Sequence, residues 1–329
     1  MGAANNVSLG AQFHMQDITL ANFEADLING SMQQPVLLDI WAPWCGPCKQ
    51  LGPVLEKLEV AYAGRFKLAK LNSDEQPEIA GQLSQAFGVR SIPFCVMFVG
   101  GNPVDGFVGA LPEAQVRAFL DKHVPSTDAL EAEAELDEAE ALIAEGDAES
   151  ALARLQQAVA IDPANDGARF DYVKLLLETG QLAQAEQAYA PVASKAIADA
   201  RLEALGRWIA AHRSAGAARS AEALAAAIST NKRDFEARFE LAQRHFAAGR
   251  FIEAMDELLE IVMRDKAWNQ EAARKTYVAI LTLMTKPTPK PSANEPAKGA
   301  LELTGKSAPS ANADPVIDQY RRKLSMALF

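Results

Sequence analysis

Only three cysteines occur in the 329 residues, and two of them, Cys45 and Cys48, stand three positions apart. That number excludes a framework of structural disulfides, and in a reducing compartment the spacing points to redox chemistry or a metal. Histidine is as sparse, with four scattered copies. With no second cysteine pair beside them, a four-ligand zinc site lacks donors, so no metal and no cofactor is expected. The chain also has no basic stripe to relieve its net charge of -11, which argues against nucleic acid or an anionic membrane as partner. No segment approaches 18 uninterrupted apolar residues, and MGAANNVSLGAQFHMQ shows neither a basic n-region nor an apolar h-region. The expectation is a soluble, cytoplasmic protein.

What is present is apolar material, 49% of the residues against 23% charged, enough for two cores in a chain of this length. After a flexible stretch expected over 1–13, residues 14–124 alternate strand-like and helix-like segments. PVLLDIWA, FKLAKLN and FCVMFVGG are short apolar runs of the kind buried in a sheet, and Leu51, Val54, Leu55, Leu58 and Tyr62 recur at helical spacing between them. This is an α/β domain.

From Ser126 the strand signals vanish. ARFDYVKLLLETGQLAQAEQ begins at Ala168 and ARFELAQRHFAAGRFIEAMD begins 69 positions later, pairing Phe170 with Phe239, Gly180 with Gly249 and Ala185 with Ala254. AEGDAESALA is a third copy of the turn, with Gly146 34 residues before Gly180, the period of a helix-turn-helix repeat. Each turn glycine is followed five residues on by an alanine, small enough to let helices approach closely. Residues 126–285 therefore resemble a tetratricopeptide-like helical array, with an ordinary helical bundle as the plainer alternative. Such arrays present curved surfaces suited to protein ligands, and nothing in this one looks catalytic. The acidic entry helix, with eight Asp or Glu and no Lys or Arg from 128 to 145, reads as a solvated face. Residues 286–314 are rich in Pro, Ala and small polar side chains and are expected to form a disordered linker.

The most specific stretch is WAPWCGPCKQ at 41–50. It follows a buried strand and opens a helix, so Cys45 falls at the helix N-terminus, where unpaired N–H groups and the helix dipole favour a thiolate. Cys45 is then the attacking sulfur, and Cys48 one turn on resolves the mixed disulfide by exchange. Pro47 stiffens the first turn. Asp39 stands alone in VLLDIW; burial raises its affinity for a proton and suits it to accept the one from Cys48. The alternative is a structural carboxylate paired with Lys70, which is compatible with that role. Pro93 precedes a strand where a cis Ile92–Pro93 bond would bring the backbone beside the cysteines. Cys95 reads most simply as a buried small apolar residue, with a redox-sensing role as the alternative.

These residues carry a resemblance. Residues 16–124 resemble thioredoxin, on the strength of IWAPWCGPCKQ, the isolated Asp39, Lys70, Ser91-Ile92-Pro93 and FVGGNPVDGFVGAL. The likeness implies a five-stranded sheet, a cis Pro93 and dithiol–disulfide exchange with protein substrates, with Trp44, Gly46, Pro47, Ile92, Pro93 and Gly109 along the substrate groove. Phe94 departs from it, since a small Thr is usual after the cis proline. Joined to the repeats and the ending QYRRKLSMALF, the chain is similar to the bacterial chaperedoxins. That resemblance implies a redox-active holdase that binds unfolding client proteins and passes them to the GroEL chaperonin. A plain protein disulfide reductase whose repeats dock one partner is the competing reading.

The last residues, DPVIDQYRRKLSMALF, predict an amphipathic helix over 315–329, capped by Asp314 with Pro315 in its first turn. Ile317, Tyr320, Leu324 and Leu328 share one face, and Arg321, Arg322 and Lys323 line much of the rest. By the chaperedoxin resemblance this helix docks on GroEL through Ile317, Tyr320, Arg321, Arg322, Leu324 and Leu328. The plainer expectation is that it folds back to cap the last repeat.

Overall fold

The computed structural model describes residues 16–216, 219–285 and 314–328. The N-terminal stretch 1–13 and the linker expected over 286–314, Asp314 excepted, lie outside the described residues. The chain divides into two compact units, one through Thr127 and one from Asp128 that includes the C-terminal helix.

The first unit holds a five-stranded sheet. Its strands are β1 (Gln16–Asp17), β2 (Val36–Trp41), β3 (Lys67–Asn72), β4 (Phe94–Val99) and β5 (Asn102–Val108), in the order β1-β3-β2-β4-β5. β3 runs parallel to β1 and β2, whereas β4 is antiparallel to β2 and to β5. Around the sheet lie π-helical turns at Phe23–Asn29 running into α1 (Gly30–Gln33), then α2 (Gly46–Ala61), α3 (Pro77–Phe87) and α4 (Glu113–His123). The expected five strands are present.

β2 is central and has an apolar core on both faces, which is why it reads as a continuous apolar run. Val36, Leu38 and Ile40 pack with Phe94, Val96, Phe98 and α3. Leu37 packs with Leu51, Leu55 and Leu58 of α2, Cys95 and Met97 of β4, and Val116 and Leu120 of α4. Side chains alternate along a strand, so Asp39 shares the face of Leu37. At about 1.5–3 kcal/mol for each fully buried aliphatic side chain, these two layers fix the register of β2 strongly.

The second unit is helical: α5 (Thr127–Glu145), α6 (Ala148–Ile161), α7 (Asp166–Glu178), α8 (Leu182–Tyr189), a 3-10 stretch at Ala190–Ile197, α9 (Ala200–Ala215), α10 (Ala221–Thr230), α11 (Phe235–Ala247), α12 (Phe251–Val262), α13 (Trp268–Met284) and α14 (Pro315–Leu328). Gly146, Gly180 and Gly249 all have left-handed backbones, with φ of 85°, 76° and 70°. Each closes its helix in the same way: the glycine N–H and the next N–H donate to carbonyls three and five residues back, as in Leu177 and Leu176 for Gly180 and Gln181. This is the Schellman ending, and only glycine adopts it without strain. The alanines five residues on, Ala151, Ala185 and Ala254, are fully buried.

The repeat extends to features that composition hides. Asn165 and Asp234, 69 apart, cap α7 and α11 by accepting from Ala168 N and Ala237 N at 2.9 Å each. Arg169 and Arg238 follow at the same interval, and both are buried. Arg169 donates to Pro163 O and Ala188 O, while Arg238 donates to Lys232 O and to Glu257. Those partners are themselves 69 apart, so each arginine ties the turn before its helix to the helix facing it. The acidic face of α5 is partly neutralised from within, since Arg154 meets Glu135 and Glu138 at 3.1 Å each.

α14 packs on the array as a cap. Asp314 Oδ1 accepts from Val316 N at 2.8 Å, as expected of an N-cap. Ile317, Tyr320 and Leu324 are buried in the same core as Trp208, Phe246 and Tyr277, and Leu328 packs at its margin. The face proposed for a chaperonin is therefore turned toward α12 and α13, not presented to a partner, in this conformation. Arg321 and Arg322 remain exposed, Arg321 donating to Thr285 Oγ1 at 3.0 Å.

Candidate active site

The strand-to-helix junction after β2 sets the chemistry. The chain leaves β2 at Trp41, turns through Ala42 and Trp44, and enters α2 with Cys45 as N-cap and Pro47 in the first turn. Cys45 and Cys48 form a disulfide, and both are buried beside Ala42 with Trp41 and Ile92 packed on them. The Cys48 N–H donates to Cys45 Sγ at 3.2 Å. When the bond is reduced, that donor and the helix N-terminus are in place to stabilise negative charge on Cys45.

The loop before β4 closes the site from the other side. Ile92–Pro93 is cis, and Pro93 O accepts from Gly109 N at 2.8 Å, so the two groove segments expected from separate parts of the sequence meet. Gly109 has φ of 89°, a conformation that favours glycine. Trp44 is 70% exposed, with its indole N–H held by the Asp74 carboxylate at 3.0 Å. Gly46 is exposed, with open space where a Cβ would stand. Phe94, the departure from the thioredoxin pattern, is fully buried and meets Phe87 edge-on at 5.6 Å. Gly106 on β5 makes room for it: a Cβ there would stand 3.1 Å from the Phe94 ring and 2.9 Å from Cys95 O.

Asp39 is buried between two register partners, Lys70 on β3 and Cys95 on β4. Burial pushes its carboxyl up from 3.8 to about 6, and the Lys70 charge and a hydrogen bond from Cys95 hold it back from rising further. Lys70 does not form the ion pair with Asp39 that the alternative reading called for. Its ammonium sits 2.9 Å from Glu56 Oε1 on α2, while its charge still acts on Asp39. Gly52, one turn before Glu56, leaves space beside the Lys70 ammonium, where a Cβ would lie 3.9 Å away. Glu56 and Asp74 escaped the sequence reading, and so did the contact of Cys95 with Asp39, although the burial of Cys95 was expected. Nothing in the spacing of α2 names Lys70 as the partner of Glu56. The role of Cys95 depends on the β2/β4 register, and that of Asp74 on a loop, which no periodicity encodes.

A disulfide-forming Cys-x-x-Cys at a helix N-terminus, following a strand that carries a buried carboxyl and packed by the residue before a cis proline, defines a dithiol–disulfide exchange domain. Residues 14–122 match the thioredoxin family, and 142–209 and 214–292 match two tetratricopeptide repeat families. The chain is 40% identical over 107 residues to thioredoxin 1 of Nostoc sp. and 45% identical over 108 residues to thioredoxin 2 of Chlorobaculum tepidum. It covers 94% of each relative, and the matches take up 32% and 33% of this chain. Thioredoxin of Haemophilus influenzae is 42% identical over 111 residues, 95% of its length and 34% of this chain. The chain thus belongs to the thioredoxin family through its first unit and adds a tetratricopeptide array. The Cys45–Cys48 pair in this setting supports thiol–disulfide oxidoreductase activity. Among the described residues no helix is long and apolar enough to cross a membrane.

Proposed function

We propose that the chain is a redox-active holdase of the chaperedoxin kind. In this reading the Cys45 thiolate attacks a client disulfide, forming a mixed disulfide and releasing one client sulfur as thiolate. Cys48 gives its proton to Asp39 and attacks Cys45 Sγ, which releases the second client sulfur and restores the Cys45–Cys48 bond. Two electrons pass to the client. Lys70 tunes Asp39 by its charge, and Trp44, Gly46, Pro47, Ile92, Pro93 and Gly109 receive the client backbone. The helical array holds the client's exposed apolar segments, and the client passes to the GroEL chaperonin by way of α14, in the cytoplasm. The observation that carries this reading is the union in one chain of an intact dithiol with a tetratricopeptide array.

One observation favours a dedicated reductase whose repeats dock a single partner: the apolar face of α14 is spent on the array itself. Two assays on the full chain separate the readings. The holdase account expects reduction of insulin disulfides together with suppressed aggregation of a thermally unfolding client at equimolar ratio. Suppression should persist in Cys45→Ser, Cys48→Ser protein. Reduction without any suppression leaves the dedicated reductase.

A further inference from the structure

Cys95 takes no part in the exchange just described, yet it is the most completely enclosed thiol in the first unit. It faces Asp39 directly across the antiparallel β2/β4 pair, and its Sγ lies 3.7 Å from Asp39 Oδ1, within reach of a sulfur hydrogen bond. We propose that Cys95 is a positioning residue for Asp39, its S–H donating to one carboxyl oxygen and so setting the pH at which Asp39 can act as a base.

The donor must be Cys95. Burial and the facing carboxylate push its thiol well above the ordinary range, so it stays protonated and has an S–H to give. A bond of this kind favours the charged carboxylate, opposing the effect of burial. The charged groups acting on Asp39 are few: Lys70 from β3 favours ionisation, Glu56 from α2 opposes it, and β4 contributes the Cys95 thiol. Lys70 is itself engaged by Glu56 at 2.9 Å, and among the described residues the Asp39 carboxyl takes its side-chain hydrogen bond from Cys95. Cys95 O also meets the tight approach of Gly106, so β5 helps hold the strand at this register. The importance of Cys95 for catalysis rests on the reading of Asp39 as the base for Cys48. Its effect on the titration of Asp39 does not.

Two variants test this in the full chain, Cys95→Val, which keeps the volume and removes the donor, and Cys95→Ser, which keeps a donor. The Asp39 carboxyl is titrated by carbon NMR, and the pH profile of insulin reduction is measured alongside. The expected result is an Asp39 midpoint raised by about half a pH unit or more in Cys95→Val, with Cys95→Ser at or below the wild-type midpoint. The acid limb of the rate profile should move with it. Coincident midpoints in wild type and Cys95→Val overturn the proposal and leave Cys95 a packing residue. Asp39→Asn separates the two layers: if its rate profile keeps the acid limb while the Asp39 midpoint still shifts between wild type and Cys95→Val, the base assignment fails and the Cys95 contact stands.

Discussion

Asp39 and Lys70 are register partners on neighbouring strands, yet the Lys70 ammonium pairs at 2.9 Å with Glu56 on α2. Asp39 is thereby left with a cation near it but not bonded to it. Burial therefore raises its carboxyl to about 6, and the Lys70 charge and the Cys95 hydrogen bond oppose that rise only in part.

A stability consequence follows from the sign of this shift. The folded chain holds the Asp39 proton up to about pH 6, whereas the unfolded chain releases it near 3.8. Stability from this group is thus full below about 4, falls as pH rises through 6, and at pH 7 the buried carboxylate costs roughly 3 kcal/mol. Asp39→Asn should raise stability at pH 7 by about 2–3 kcal/mol and flatten this pH dependence in urea unfolding. The same variant should slow insulin reduction.

The cap formed by α14 gives a second prediction. Tyr277 Oη donates to Tyr320 O at 2.8 Å, Tyr320 Oη donates to Asp256 Oδ1 at 2.9 Å, and Lys266 Nζ donates to Leu328 O at 2.6 Å. Tyr320→Ala should cost the helical unit about 2–4 kcal/mol and speed amide exchange throughout α14. Insulin reduction should be unchanged. Wild-type exchange rates in α14 already as fast as those of a free peptide would contradict the packed cap.

The repeated buried arginines supply a third. Arg238→Ala removes the donors that hold Lys232 O and Glu257 and leaves both groups without their partner. A loss of about 2–4 kcal/mol is expected in thermal unfolding of the array. Arg169→Ala should resemble it, because its partners occupy the equivalent positions.

Gly106→Ala tests the packing around Phe94. The added methyl would stand 2.9 Å from a backbone oxygen, so β5 must shift, at a cost of about 1–3 kcal/mol. Pairing it with Phe94→Thr should recover only part of the loss, since the Cys95 carbonyl remains in the way.

The repeat was the most legible part of this chain, because a turn that needs a left-handed residue leaves a glycine and a close helix contact leaves an alanine. Gly146, Gly180 and Gly249 and their alanines follow that logic residue by residue. Arg169 and Arg238 did not stand out, since a long charged side chain on a helix ordinarily reads as surface; their recurrence at 69 residues was the available sign. In the redox unit, Cys45 and Cys48 were readable because helix-start chemistry dictates them, whereas the cis form of Ile92–Pro93 was implied only by the thioredoxin resemblance, since trans is the commoner state of such a bond. The partners of Asp39 were not, for they come from strand register and from a helix laid across the sheet. The tail was readable as a helix, but which surface its apolar face covers depends on α12 and α13, far away in sequence.

The central claim is that Cys45 exchanges disulfides with a client that the same chain is holding. Cys48→Ala blocks resolution, so the full-length variant can be mixed with an unfolding client that carries one accessible disulfide. Light scattering and non-reducing mass spectrometry are then read on the same sample. The account predicts suppressed scattering at equimolar ratio and a one-to-one covalent adduct through Cys45. Unsuppressed aggregation alongside the adduct, or suppression with no adduct at any time, would contradict it.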